Sequence, residues 1–499
     1  MLFTKKTFFW FFLMFSLLFS EEVFQYGNKL EFFVRIDTED AEITAYMPTH
    51  KKLFSIGGSA SLSVYDFSKP QAPQIIQKIK LQGEASSISV YNDLVALALI
   101  SEKHTDPGKV LLYRYQDSLE LYKSIEVCAE PDMLSFGPHG DFILVACEAS
   151  PSKDGSIDPE GQVAYIDLSQ KPQVQTHILD FRHLDSTSLL KKGVRVSGPA
   201  NFYQNLEPEY IAIDSSGQYA WVSLQENNAI ALIDIHQKKI TEVFPLGTLD
   251  HSLASNSFDA QKDKKAKLIQ APVLGMRQPD GIAVHSKNNK HYVFTANEGA
   301  SKKESYFTDE TNIQTLVANN ALSLKSFTPS IIESLEKLIV SKMDTCKNQS
   351  CEKVYSFGSR SMSVLDGKTG KILFDSQNQI ETLLAKIAPS YFNWNAKKGK
   401  KKTDTRSHYK GPEPENITIG TVKGKNYAFL GLERMSGILV WDIENPENPS
   451  IIDYYLNPKD RGPEGILFIP EKSSPIPGTP LLVVAYEYSE SIVVYTFKK

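Results

Sequence analysis

The stretch ENITIGTVKGKNYAFLGLERMSGILVWDIENPENPSIIDYYL, residues 415–456, decides the fold. It breaks into four runs, ENITIGT, NYAFLGLE, GILVWDIENP and SIIDYYL, rich in β-branched and aromatic residues and set off by Gly, Asn and Pro. Such runs read as four short strands of one antiparallel sheet. The pattern recurs from Glu209 as EYIAIDS, YAWVSLQE, AIALIDIH and ITEVFPLG, and from Asp132 as DMLSFGP, FILVACEA, QVAYIDLS and VQTHILD. Asp280 opens DGIAVHS and HYVFTANE, with RSMSVLD and KILFDS following after a long insertion. Two N-terminal units supply ITAYMPT, KLFSIGG, SLSVYDFS, IIQKIKL and then SISVYN, LVALALIS, KVLLYRY, LELYKSI.

A seventh unit, from Glu464, holds only three strands, GILFIP, LLVVAYE and SIVVYTF, while KLEFFVRI at 29–36 stands unassigned at the other end. An N-terminal strand that completes the last sheet removes an open edge and closes a ring. The expectation is an all-β, seven-bladed β-propeller over residues 21–499, with units of roughly 40–50 residues where no insertion intervenes. The insertion, about 300–352, sits in the fifth blade and contains TPSIIESLEKLIVSKM. Thr328 as N-cap, Pro329 at the first position and apolar Ile331, Ile332, Leu335, Leu338 and Ile339 predict a small helical element there, read as packing decoration.

The units begin with an acid, usually after proline: Asp132, Glu209, Asp280, Glu415 and Glu464. A second acid closes the second strand: Glu148, Glu226, Glu298, Glu433 and Glu487. The start of one strand and the end of its antiparallel neighbour lie side by side, so these ten carboxylates are expected at one mouth of the central channel. Glu42 and Glu102 are weaker candidates from the first two units. Like charges so crowded demand raised pKa values or counter-cations. Arg277, Arg406, Lys410, Arg434 and Arg461 stand nearby in sequence as ion-pair partners, and Ca²⁺, which takes six to eight oxygen ligands, is the other remedy. A third possibility is that each acid bonds backbone amides where blades meet.

Lys5 and Lys6 followed by an apolar run from Phe8 to Phe19 and by Ser20 read as a signal peptide over residues 1–20. No later stretch is apolar enough to cross a bilayer, and the chain stops at Phe497-Lys498-Lys499 without an apolar tail, so periplasmic or secreted location is expected. Export favours disulfides, and the four cysteines read as two local pairs, Cys128 with Cys147 and Cys346 with Cys351, with free buried thiols as the other reading. Net charge is −5. That gives no general case for nucleic acid or an anionic membrane. Two lysine-rich stretches, KDKKAK at 262–267 and AKKGKKKT at 396–403, lack interleaved aromatics and read as solvated loops.

Catalytic signatures are missing: there is no GxSxG, HExxH, P-loop or dinucleotide turn. His251 and His408 are the histidines nearest to acidic motifs and read as ordinary hydrogen-bonded residues, with a ligand or base role as the alternative.

Several blocks together, CAEPDMLSFGPHGDFILVACEAS, LEPEYIAIDSSGQYAWVSLQENNAIALIDI, VLGMRQPDGIAV, KGPEPENITIG and RGPEGILFIP, are similar to the choice-of-anchor I family, over roughly residues 30–497. The resemblance extends to the mesenchyme-specific cell-surface glycoproteins of biomineralising animals. It implies an extracytoplasmic β-propeller, held in many members by a C-terminal anchor that this sequence does not show, and the animal relatives imply a link to calcium. Two further departures are Ser301-Lys302 after ANEGA, where the family pattern usually reads ANEGDAR, and Cys128 and Cys147, where relatives commonly carry Gly and Asn. The expected function is a binding protein holding Ca²⁺ and a ligand or partner at an acidic mouth. The alternatives are a metal-dependent phosphoesterase at the same site and a metal-free interaction scaffold.

Overall fold

A computed structural model describes residues 23–170, 172–345 and 350–498. The signal-peptide reading and Cys346, with its expected bond to Cys351, therefore lie outside the described residues.

Among the described residues the fold is all-β, with six four-stranded sheets and one five-stranded sheet, all antiparallel and each wound outward in chain order, apart from the strands added from the N-terminus. The first strands are Ile43–Met47, Ala85–Tyr91, Pro131–Phe136, Pro208–Ile213, Ile282–Lys287, Pro414–Val422 and Pro463–Ile469. Each contacts the first strand of the next sheet, and the last returns to the first, so the sheets stand around a common axis.

The second strands explain why the sheets pack this way. Leu94–Leu99, Phe142–Cys147 and Leu481–Tyr486 are buried along their whole length. A strand covered on both faces reads as a continuous apolar run rather than an alternation. The outermost Gln74–Lys80, by contrast, is largely exposed. The core is accordingly a ring of separate clusters, one in each gap between neighbouring sheets.

Leu30–Asp37 pairs with Ser491–Phe497 as the fourth strand of the seventh sheet, from Leu30 opposite Phe497 to Asp37 opposite Ser491. Ahead of it, Phe24–Tyr26 adds a fifth strand to the sixth sheet, a pairing the sequence did not reveal. Buried Asp453 fixes the crossing between the two: it accepts from the backbone N–H of Lys29 at 2.5 Å and of Leu30 at 2.8 Å, and from Gln25 Nε2 at 3.1 Å.

Within 300–352 the chain forms helices Ile313–Ala318 and Pro329–Leu335 and a strand pair, Glu310–Asn312 with Ile339–Ser341. Thr328 caps the second helix by accepting from Ile331 N–H. The helix ends at Leu335, short of the expected run through Ile339. Ile339 and Val340, β-branched and better suited to a strand, leave to pair with Asn312 and Thr311. A three-stranded sheet of Thr248–Asp250, Val273–Met276 and Val354–Ser356 packs beside this element, while a helix at Gln379–Ile387 packs on the fifth and sixth sheets.

Candidate functional site

The proline-acid step has a local geometry that the sequence alone does not display. Glu130, Gln278, Glu413 and Gly462, each just before the proline, adopt positive φ, and the chain then turns into the first strand. At the same place the pairing register slips in four sheets: between Pro131 and Met133, Pro208 and Ile211, Pro414 and Ile417, and Pro463 and Ile466. A bulge leaves a residue unpaired and re-aims its side chain. Here the displaced residues include Asp132, Glu209, Glu415 and Glu464, and the proline supplies fixed φ where no ladder N–H is required.

With these four, the starts of all seven first strands place a carboxylate at one axial cavity of about 420 Å³: Glu42, Glu84, Asp132, Glu209, Asp280, Glu415 and Glu464. Glu148 joins them from the end of a second strand, and among the described residues no lysine, arginine or histidine lines the wall. The second sheet contributes Glu84, not Glu102. Glu102 is exposed, because its strand ends at Leu99 and the chain turns outward. Close contacts between first strands hold the ring. Gly281 N–H donates to the Glu415 carbonyl and Gly465 N–H to the Glu42 carbonyl, both at 2.9 Å. A Cβ at either glycine would press on the neighbouring backbone at 2.7 Å.

The other second-strand acids, Glu226, Glu298, Glu433 and Glu487, do not line this cavity, contrary to expectation. Glu298 is paired with Lys410 and accepts from Gln225 Nε2 at 2.8 Å. Glu433 pairs with Arg434 at 3.0 Å and accepts from the Tyr488 hydroxyl. Asp280, Glu298 and Glu415 can bring one oxygen each to within 4.8 Å of one another, as can Glu298, Glu413 and Glu433.

Burial, reinforced by neighbouring carboxylates, pushes Glu42 and Asp132 up to about 7 and holds Glu209, Asp280, Glu415 and Glu464 well above the ordinary carboxylate range. Glu209 Oε2, Glu226 Oε2, Glu415 Oε2 and Asn416 Oδ1 are buried without a hydrogen-bond partner. Glu209, Glu415 and Asn416 are each less than a tenth exposed.

The basic residues are committed elsewhere. Lys410, Arg406 and Arg434 converge on buried Glu413, at 3.2, 2.5 and 3.4 Å. Arg277 pairs with Asp375 at 3.0 Å. Arg461 is not an ion-pair partner of these acids: it donates to the carbonyls of Ala396 and Tyr488, at 2.8 and 2.7 Å. Lys302 pairs with Glu207 rather than Glu298. Glu413, Glu207 and Glu130 all precede the proline of an E-P-acid triplet, a repeat that could have marked them.

Cys128 and Cys147 form a disulfide with Cα atoms 5.8 Å apart. It joins the outer strand of the second sheet to the second strand of the third, at the residue opposite Pro131 and next to Glu148. His251 is buried, with Nδ1 2.6 Å from the Asn256 carbonyl and its ring against Phe258, and burial lowers it to about 4. Neither it nor His408 lines the acidic cavity.

A model of the choice-of-anchor I domain matches residues 42–446, and the chain belongs to that family. It is 26% identical over 282 residues to a mesenchyme-specific cell surface glycoprotein of Strongylocentrotus purpuratus, covering 49% of this chain and 36% of the relative. It is 30% identical over 171 residues to gigasin-3a of Magallana gigas, covering 30% of this chain and 60% of the relative. The chain thus spans less than two thirds of either. Among solved structures, Kuenenia stuttgartiensis hydrazine synthase aligns over 92% of this chain and 96% of its own at 12% identity and a TM-score of 0.46. The β-propeller domain of Myceliophteria thermophila Cps50 (Swd1) aligns over 94% of this chain and 100% of its own at 10% identity and the same TM-score. No helix among the described residues is long and apolar enough to cross a membrane.

Proposed function

We propose that this choice-of-anchor I protein is an exported seven-bladed β-propeller that holds Ca²⁺ in its axial cavity and binds a ligand or partner there. The observation that carries the reading is the cavity wall, with a carboxylate from every sheet and no basic side chain. Such a wall is tolerable only if its acids keep their protons or gain a cation. The bulged strand starts favour a cation, because they leave Glu209 and Glu415 oxygens buried without donors. A protonated network would be expected to pair them.

Ca²⁺ suits these residues better than a softer or smaller metal. The donors are all oxygen, they are numerous, and they come from separate strands, which matches its high and flexible coordination number. Asp280 and Glu415, which can bring oxygens within 4.8 Å of one another, would hold the ion, with Glu209 and Glu464 of the same cavity as further oxygen donors. Bound Ca²⁺ would supply charge neutralisation and open coordination positions for an oxygen-bearing ligand. Export is supported by the apolar leader-like segment over residues 1–20 and by a relative that is named as a cell surface protein. A phosphoesterase would need basic groups free for phosphate. Lys410 and Arg434 are held by acids and Arg461 by carbonyls, which favours binding over that chemistry.

The test is thermal unfolding in excess EDTA and then in Ca²⁺. At a thousand times the dissociation constant the folded state gains about 4 kcal/mol. That gain should vanish in the Glu415→Gln/Glu464→Gln variant. An unchanged midpoint in wild-type protein would leave the metal-free scaffold as the reading.

A further inference from the structure

The two lysine-rich stretches, far apart in sequence, fold against one another. A cleft of about 920 Å³ is lined by Lys262, Lys264, Lys337, Lys401 and Lys402 together with His408. Glu336 is its one carboxylate. Among the described residues none of the five lysines makes an ion pair. Lys401 lies over the Tyr391 ring at 4.5 Å.

The cleft is built rather than incidental. Asp404, fully buried, accepts from the backbone N–H groups of Asp263 and Lys264 at 2.6 and 2.7 Å, which ties one stretch to the other. Buried Asp259 shapes the first stretch itself, accepting from Gln261 and Lys267 N–H at 3.0 and 2.9 Å within the same loop. Gln261 Nε2 donates to the Glu333 carbonyl at 3.1 Å, and Ile339 N–H to the His408 carbonyl at 2.9 Å, which fixes the inserted element as the third wall. Asp404 thus holds the two lysine stretches together, against their mutual repulsion, while Asp259 fixes the turn of the first. His408 Nδ1 is buried there without a hydrogen-bond partner.

We infer that this cleft is a binding site for an acidic polysaccharide, separate from the axial cavity. Five unpaired ammonium groups spread over so large a cleft suit charges repeated along a chain, not one phosphate. Thr403, Thr405, Asn312 and Gln314 add hydroxyls and amides that can bond sugar hydroxyls. Among the described residues no Phe, Tyr, Trp or aliphatic side chain lines the cleft, so they offer neither the stacking platforms of single-stranded nucleic-acid sites nor the apolar anchors of protein interfaces.

The experiment is calorimetric titration of the mature protein with short dextran sulfate in EDTA, with neutral dextran and a single-stranded oligonucleotide of matched charge as comparisons. Dextran sulfate should bind and neutral dextran should not, and affinity should fall as salt rises. The triple variant Lys264→Gln/Lys337→Gln/Lys402→Gln should lose about tenfold or more. A variant with the same charge change on distant exposed lysines, Lys69→Gln/Lys80→Gln/Lys239→Gln, should stay within about twofold of wild type. Equal losses in the two variants, or no binding by wild-type protein, would overturn the site. Tighter binding of the oligonucleotide than of dextran sulfate would overturn the ligand class.

Discussion

Glu413 and Glu415 flank Pro414, are both buried, and meet opposite fates. Burial disfavours the charge on each. At Glu413, Lys410, Arg406 and Arg434 overcome that penalty and hold the carboxyl down at about 2. At Glu415 burial is reinforced by Glu298, Asp280, Glu433 and Glu464, and the carboxyl rises well above its usual range. Burial therefore does not separate these two acids; the sign of their neighbours does. One residue locks the rim, and the other is left with an unsatisfied oxygen facing the axis.

The sharpest way to break this comparison is to neutralise each in turn. Glu413→Gln leaves three cations without their shared partner and should cost ~3–5 kcal/mol in denaturant unfolding. Glu415→Gln in EDTA should be neutral or stabilising, since it removes a repelled charge. Equal losses from both would show that the ring acids are as well paired as the rim. The next effect in size is the disulfide beside Asp132 and Glu148. Cys128→Ala/Cys147→Ala should lower stability by ~3 kcal/mol, with or without Ca²⁺.

The raised acids should make stability depend on pH. Glu42 and Asp132 titrate near 7 in the folded protein, against 4.5 and 3.8 as ordinary values, and Glu433 and Glu207 near 8. The folded state then holds more protons than the unfolded chain, so stability falls as pH rises toward 8. Buried His251, at about 4, contributes the opposite slope below 6.5, so the descent is read between pH 6.5 and 8. In EDTA the unfolding midpoint should drop across that window, and excess Ca²⁺ should flatten the drop. The smallest effect serves as a control remote from the ring: Thr328→Ala removes a helix cap and should cost ~1 kcal/mol while leaving any Ca²⁺ response intact.

The sheets were legible because their strands repeat, and the repeat shows in β-branched runs set between turn formers. Five ring acids were legible through the proline beside them, and Glu42 through its place before ITAYM. Glu84 was not, because Gly83 stands where the proline would be, with φ of 149°. The bulges that turn the acids inward leave no mark in the sequence, since they arise from pairing across a strand. Glu413 is hidden for a related reason. Its worth depends on three cations, one of them from the far side of its own hairpin, and only the fold gathers them. The lysine stretches looked solvated because neither alone makes a wall.

The clasp at Asp453 has a consequence for the order in which the molecule assembles. Asp453 and the Ser491–Phe497 strand wait for residues near the start of the chain, and those residues have no sheet of their own to join. The ends must find each other across nearly the whole length, a contact of the slowest kind to form. Until they do, the sixth and seventh sheets keep raw edges, and the axial carboxylates have no completed circle to stand in. Pairing these two strands completes the seventh sheet, and a chain interrupted before Ser491 would carry every acid of the cavity without the strand that seals their ring.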